Sequence, residues 1–381
     1  MEKFSEKLPD GRTLNGLISL PLKPSASINA PHLPLIVCIH GGTYTADYFH
    51  ATPSTSITSI SAPLSVPVIA ISRPGYGGST PLPPVSSSRN GHTFIQDAGR
   101  HLHNVILPFL WARYGPSTGS NSIVLLSHSI GSAIAIVAAA LHAESRSSSA
   151  AASTATTPGS GTPLTAASLP RSAANAGGTQ RPAYPLSGLI TSGIGSRIRV
   201  SPESSPSDDN GGGGGGVPPM SPATAASVAT AEEEMQLWPL ENKDAVMLAA
   251  GVGLCPPEVL QESVRLNAEM KVAERRDIQR SWDGYWRRYA EAVTVPHLYG
   301  LGEGDTLWYV CDENVNDYVN AFKSSVRREG NVVLRAPHCI ELSYAGRGWL
   351  TRCVGFGLEC AVYRAFKDVD LGGLTHEELG R

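Results

Sequence analysis

The sequence predicts an α/β protein, a mostly parallel sheet covered by helices on both faces. Two observations carry that expectation. Short apolar runs rich in β-branched residues recur at Leu33–Ile39, Val66–Ile71, Val295–Leu301 and Asn331–Leu334. Such runs suit strands buried on both faces. Helical patterns fall between them, and strand–helix alternation is the pattern of a parallel sheet with crossover helices.

Taken in order, Thr13–Leu20 reads as an antiparallel edge. Ala98, Leu102, Val105, Ile106, Phe109 and Leu110 repeat at helical spacing and stop before Gly115-Pro116. Ile123–Leu126 reads as a strand and Ala133–Ala140 as a buried helix. Leu186–Gly195 is a strand-like island between two segments of biased composition. Val315, Tyr318, Val319 and Phe322 predict a helix capped at Asp312, with Gly330 as its stop.

Residues 231–291 break the alternation. Helical patterns run over Asp244–Ala250, Glu258–Val272 and Arg276–Val293, with no strand among them. Trp282, Tyr285, Trp286 and Tyr289 share one helical face, which either packs on the body of the protein or walls a pocket. A helical insert between sheet strands reads as a cap. The expected organisation is a core of residues 1–198 and 292–381, a cap of 231–291, and insertions at 144–183 and 199–230. The insertions are Ser-, Ala-, Pro- and Gly-rich and cannot bury enough apolar surface to offset ordering. The run Gly211–Gly216 lacks the Lys-Ser/Thr of a phosphate loop. Replacing 145–182 and 202–227 with short Gly-Ser linkers is therefore expected to leave activity and melting temperature essentially unchanged, since loop length acts on stability only logarithmically. Loss of activity on deletion, or protection of both segments from limited proteolysis, would contradict this reading.

With 30 basic and 33 acidic residues and a net charge of −3, the chain has no electrostatic signature of nucleic-acid or anionic-membrane binding. The six cysteines form no C-x-x-C pair, so free thiols are expected rather than a disulfide frame or zinc site. Met1–Lys7 lacks the apolar core of a signal peptide, and Glu378–Arg381 carries no peroxisomal or prenylation signal. The longest apolar region, 123–143, is interrupted by Ser127, His128, Ser129, Ser132 and His142, so stable membrane insertion is not expected. These points lead to an expected cytoplasmic location, and the aromatic, weakly charged cap points to a small-molecule, mainly apolar substrate. No cofactor and no metal is called for, and oligomeric state is not legible.

The chemistry centres on Ser127-His128-Ser129-Ile130-Gly131, which joins a strand to a helix through a tight turn of small residues. This is the context of a nucleophile elbow. A turn so sharp excludes large side chains two positions either side of the apex. Gly131 meets that requirement, and Ser127 stands where glycine is usual. The alternative is a plain helix N-cap at Ser129. Partners at other strand ends favour the nucleophile. A serine hydroxyl needs a base to take its proton and an acid to orient that base. His338 follows Val332–Leu334 by a short turn, and Asp305 follows the strand at His297–Leu301. Glu303 is the competing acid. His40-Gly41-Gly42-Thr43 follows Leu35–Ile39, so the amide of Gly42 or Thr43, with that of Ile130, can form an oxyanion hole. His40 reads as a structural partner of that loop, and His128 as projecting away from the catalytic face.

The segments CIHGGTYTADYF, ISRPGYGGST, LLSHSIGSAIAI, LYGLGEGDTLW and APHCIELS resemble those of α/β-hydrolases. Similar segments mark fungal hydrolases associated with secondary-metabolite and toxin biosynthesis. The resemblance spans 13–143, 186–198 and 231–366. It implies an eight-stranded α/β-hydrolase fold with a cap after the sixth strand, and a Ser-His-Asp triad at Ser129, His338 and Asp305. The leading expectation is a serine hydrolase cleaving an ester or thioester through an acyl-enzyme. Carbon–carbon or lactone cleavage on a polyketide-like substrate is the alternative enzyme reading. A catalytically inactive binding protein on the same scaffold is the non-enzyme reading, and a fluorophosphonate probe separates it from an activated serine.

Overall fold

The computed structural model describes residues 1–21, 32–84, 91–154, 183–199 and 234–369. Among the described residues ten strands are defined in chain order: β1 Glu2–Lys7, β2 Thr13–Ser19, β3 Leu33–Ile39, β4 Val68–Ile71, β5 Ser120–His128, β6 Leu186–Ser192, β7 Met235–Gln236, β8 Met270–Lys271, β9 His297–Gly304 and β10 Arg328–Pro337. Eight form one sheet in the order β1-β2-β4-β3-β5-β6-β9-β10, and β7 pairs with β8. From β4 to β10 the pairs are parallel; β1–β2 and β2–β4 are antiparallel. The predicted α/β-hydrolase architecture is thus present, with helices on both faces.

Side-chain alternation along β3 divides the core. Leu35, Val37 and Ile39 face a cluster with Leu107, Leu110, Ile134 and Val137. Ile36 and Cys38 face the opposite cluster, with Trp349, Leu350 and Val354. The helix Ile130–Thr154 covers the first face and Gly346–Phe366 the second. Full burial of each such aliphatic is worth about 1.5–3 kcal/mol. All six cysteines are free, five of them buried. Among the described residues, no helix is long and apolar enough to cross a membrane.

The structure departs from the sequence reading in several places. Strand β1 was not foreseen. It is an edge strand, exposed or half-exposed along its length, so no apolar run marks it. Gly330 does not stop a helix. The helix Asp312–Asn320 ends at Ala321, and Gly330 lies within β10, opposite Tyr299. The helix expected over Glu258–Val272 is instead two short ones, Pro257–Gln261 and Val272–Arg276. Between them the Ala268 N–H bonds to Thr43 O at 2.9 Å, and Met270 pairs with Gln236 in the unforeseen β7–β8 ladder. The aromatic face packs inward: Trp286 stacks on Tyr318 with centroids 5.3 Å apart. The helix Ile130–Thr154 also runs through residues 144–154, the start of a segment read as an insertion. Within it only the run Ala150-Ala151-Ala152 has a high intrinsic helix propensity. The remainder of that insertion, and nearly all of 199–230, lie outside the described residues.

Candidate active site

Strand β5 and the helix Ile130–Thr154 meet at Ser129, whose φ of 53° is left-handed and unusual for a non-glycine residue. The turn is fixed from β6: the Ser129 N–H donates to Ser192 O at 2.7 Å, and the Ser132 hydroxyl to the same carbonyl at 3.2 Å. Ser127, the departure from glycine, is fully buried and donates its hydroxyl to Ile190 O at 2.7 Å. The serine is accommodated because its one polar atom meets a carbonyl of the neighbouring strand. Gly131 has no such latitude. A β-carbon there would stand 2.4 Å from His40 O and 2.5 Å from Ile39 O. Gly131→Ala is expected to push the elbow off the end of β3. The expected losses are about 1–3 kcal/mol of stability and at least ~10-fold in turnover, read by thermal melting and steady-state kinetics. Wild-type values for both would contradict the packing described.

His338 and Asp305 are brought together by the close approach of β9 and β10. A β-carbon on Gly302 would stand 2.1 Å from Pro337 O, so only glycine lets the strands converge there. A register shift between Val333 and Pro337 then turns the chain toward the elbow. His338 Nδ1–H donates to Asp305 Oδ2 at 2.7 Å. Its Nε2 lies 3.1 Å from Ser129 Oγ. The other Asp305 oxygen accepts from the Leu307 and Trp308 amides at 2.8 and 3.2 Å. The three sequence-predicted side chains therefore form one continuous hydrogen-bonded line. Both the His338 and Asp305 side chains are almost fully buried, while Ser129 is half-exposed.

Glu303 stands apart from this line. It is exposed, and its carboxylate accepts the Arg335 N–H at 2.8 Å, supporting a residue whose own φ is 54°. His40 partners the Gly-Gly loop, with Nδ1–H donating to Gly41 O at 2.7 Å. Gly41 in turn packs against the Ser129 β-carbon. Thr43 is buried with φ of 63°, and Ile130 opens the helix. Its amide is among those that lack an intrahelical acceptor.

His128 stacks on Tyr48 and meets the His338 ring edge-on at 4.9 Å. Burial first, then the neighbouring His338 and His40, hold it well below the ordinary histidine range, so it stays neutral beside His338.

Sequence reasoning missed the polar cluster behind the site. Glu341 is buried and accepts from Ser192 Oγ and Tyr48 OH, each at 2.6 Å, and from Trp349 Nε1 at 2.9 Å. Its place three residues after His338 was the available signal. From residues 231–291, Lys243 donates to Thr43 O at 3.0 Å and Leu266 O at 2.6 Å. Burial lowers the Lys243 ammonium to about 8. No local pattern marked that residue.

A strand-end serine, a carboxylate and a histidine in this chain order, on an eight-stranded sheet with an antiparallel edge, invite comparison with known proteins. A sequence model described as the alpha/beta hydrolase family matches residues 36–345. Among solved structures, the chain is similar to the N-acyl homoserine lactonase AidH, with a TM-score of 0.52 and 12% identity over 94% of this chain and 97% of that one. It is likewise similar to E-2-(acetamidomethylene)succinate hydrolase, with a TM-score of 0.50 and 14% identity over 94% of this chain and all of the other. At such identities the likeness is one of fold. No curated protein matches the sequence. The family match spans most of the chain, including the elbow and the strand ends carrying Asp305 and His338, and on that basis the chain belongs to the alpha/beta hydrolase family.

Proposed function

We propose that the protein is a serine hydrolase that cleaves an ester or thioester through an acyl-enzyme. The observation that carries this reading is the placement of His338, which bonds Asp305 on one ring nitrogen and faces Ser129 Oγ on the other. In the proposed reaction Ser129 Oγ attacks the acyl carbonyl carbon and His338 Nε2 takes the hydroxyl proton. Asp305 holds Nδ1–H and stabilises the imidazolium. The developing oxyanion is held by the Ile130 amide and by that of Gly42 or Thr43. His338 then delivers the proton to the leaving alkoxide or thiolate. Water, deprotonated by the same nitrogen, releases the acid in the second half.

Residues 231–291 form the cap in this reading, and Met270 reaches from them onto Gly42 beside Ile130. These two apolar side chains favour a mainly apolar substrate. A setting in fungal secondary metabolism rests on the sequence resemblance alone, and a cytoplasmic location belongs to the same proposal.

The test is hydrolysis of p-nitrophenyl esters of graded acyl length, together with matching thioesters. Turnover that varies with chain length and vanishes in Ser129→Ala supports the proposal. Absence of turnover on every ester and thioester of the panel, from folded protein, overturns it.

A further inference from the structure

We infer that Arg73 is a positioning residue for the oxyanion hole, polarising the Gly41–Gly42 peptide so that the Gly42 amide is the loop's donor. The inference rests on the hydrolase reading above and decides between the two amides left open there. Arg73 lies beyond the end of β4 and is 3% exposed. Its Nη2 donates to Gly41 O at 2.9 Å. The same carbonyl accepts His40 Nδ1–H at 2.7 Å. The Arg73 backbone N–H donates to His40 Nε2 at 3.0 Å, which fixes the tautomer that makes the second bond possible. Arg73 thus reaches Gly41 O twice, once directly and once through His40.

Gly41 C=O and Gly42 N–H belong to one conjugated peptide unit. Donation to the oxygen shifts electron density toward it and makes the N–H a stronger donor. A charge-assisted bond in a low-dielectric interior does this most effectively. Burial first, then the charge of Arg73, hold His40 well below the ordinary histidine range, so it remains a neutral donor. The guanidinium is kept in place by Glu274, fully buried in the helix Val272–Arg276, at 2.6 Å. The Tyr76 hydroxyl donates to the other Glu274 oxygen at 2.8 Å. The same Nη2 is thus held by the Glu274 carboxylate on one side and donates to Gly41 O on the other. In this inference Glu274, a residue of 231–291, bears on the chemical step through Arg73.

A purely structural ion pair would affect stability without discriminating the transition state, and this separates the two roles. Arg73→Met and Arg73→Lys would be assayed on one p-nitrophenyl ester beside their melting temperatures. Affinities would be measured for an alkylboronic acid, which forms a tetrahedral anion on serine, and for a non-hydrolysed amide analogue of the substrate. Arg73→Met is expected to lower kcat about 10–100-fold with KM nearly unchanged, the range typical of supporting-shell and oxyanion contacts. Boronic acid affinity should fall by a similar factor, and amide affinity should not. Arg73→Lys, which keeps the cation but loses the fork, should fall between. It carries the same readouts if Arg73→Met does not fold. A folded variant with wild-type kcat, or with boronate and amide affinities weakened equally, overturns the inference while leaving the hydrolase reading intact. Wild-type protein that neither turns over the ester nor binds the boronic acid overturns the hydrolase reading itself.

Discussion

Ser129→Ala is expected to abolish ester turnover, lowering kcat by roughly four to six orders of magnitude, with the fold retained. The substitution removes one hydroxyl from a half-exposed position. The bonds that shape the elbow, from Ser129 N and Ser132 Oγ to Ser192 O, do not involve that hydroxyl. Alanine must adopt the same left-handed φ of 53°, but so does the serine, and the difference in stability should be within about 1 kcal/mol. What is lost, in the proposed reaction, is the atom that forms the covalent bond. The loop and helix amides remain, so a small residual rate above the uncatalysed one is expected. Circular dichroism and thermal melting check the fold; initial rates on the best ester of the panel check the chemistry. A folded mutant that keeps more than about a tenth of wild-type kcat has lost only ~1.4 kcal/mol of transition-state stabilisation, too little for a nucleophile.

Asp305→Asn should be the next most damaging change, with kcat lowered by about 10⁴. Asp305 receives His338 Nδ1–H and two backbone amides. An asparagine keeps the volume, but its NH₂ can displace Nδ1–H and favour the tautomer that presents a proton to Ser129. It also carries no charge to stabilise the imidazolium formed when Ser129 is deprotonated. Glu303→Gln is the matched control two residues away. Its exposed carboxylate accepts a single backbone bond from Arg335, which a glutamine oxygen can also accept. That variant should stay within about 3-fold of wild type. The comparison is made as kcat/KM on one ester, and the opposite ranking would move the acid to Glu303.

The candidate site was legible where its residues sit on strand ends. Ser129, Asp305 and His338 each follow an apolar run that folds as β5, β9 or β10, and in a parallel sheet those ends converge on one edge. The supporting residues were hidden for a physical reason. Glu274 meets Arg73 across some two hundred residues of chain, and Lys243 meets Thr43 across 200. Sequence periodicity carries no information about such pairings. The same cause spoiled the secondary-structure reading of 258–272, where a backbone donor leaves the helix to bond Thr43 O. Elements that fill the core, such as β3 and the Ala133–Ala140 part of the helix after Ser129, were read correctly because burial alone writes their pattern, whereas the extension of that helix through 144–154 was not read. Strand β1, exposed at the sheet edge, had no such pattern to read.

An activated nucleophile at Ser129 would be trapped covalently by an electrophilic probe. Wild-type protein would be treated with a fluorophosphonate, digested, and mapped by mass spectrometry, with heat-denatured protein and Ser129→Ala alongside. One adduct is expected, on Ser129, formed only by folded wild-type protein. An unlabelled folded wild type, or an adduct on another residue that persists in Ser129→Ala, would contradict it.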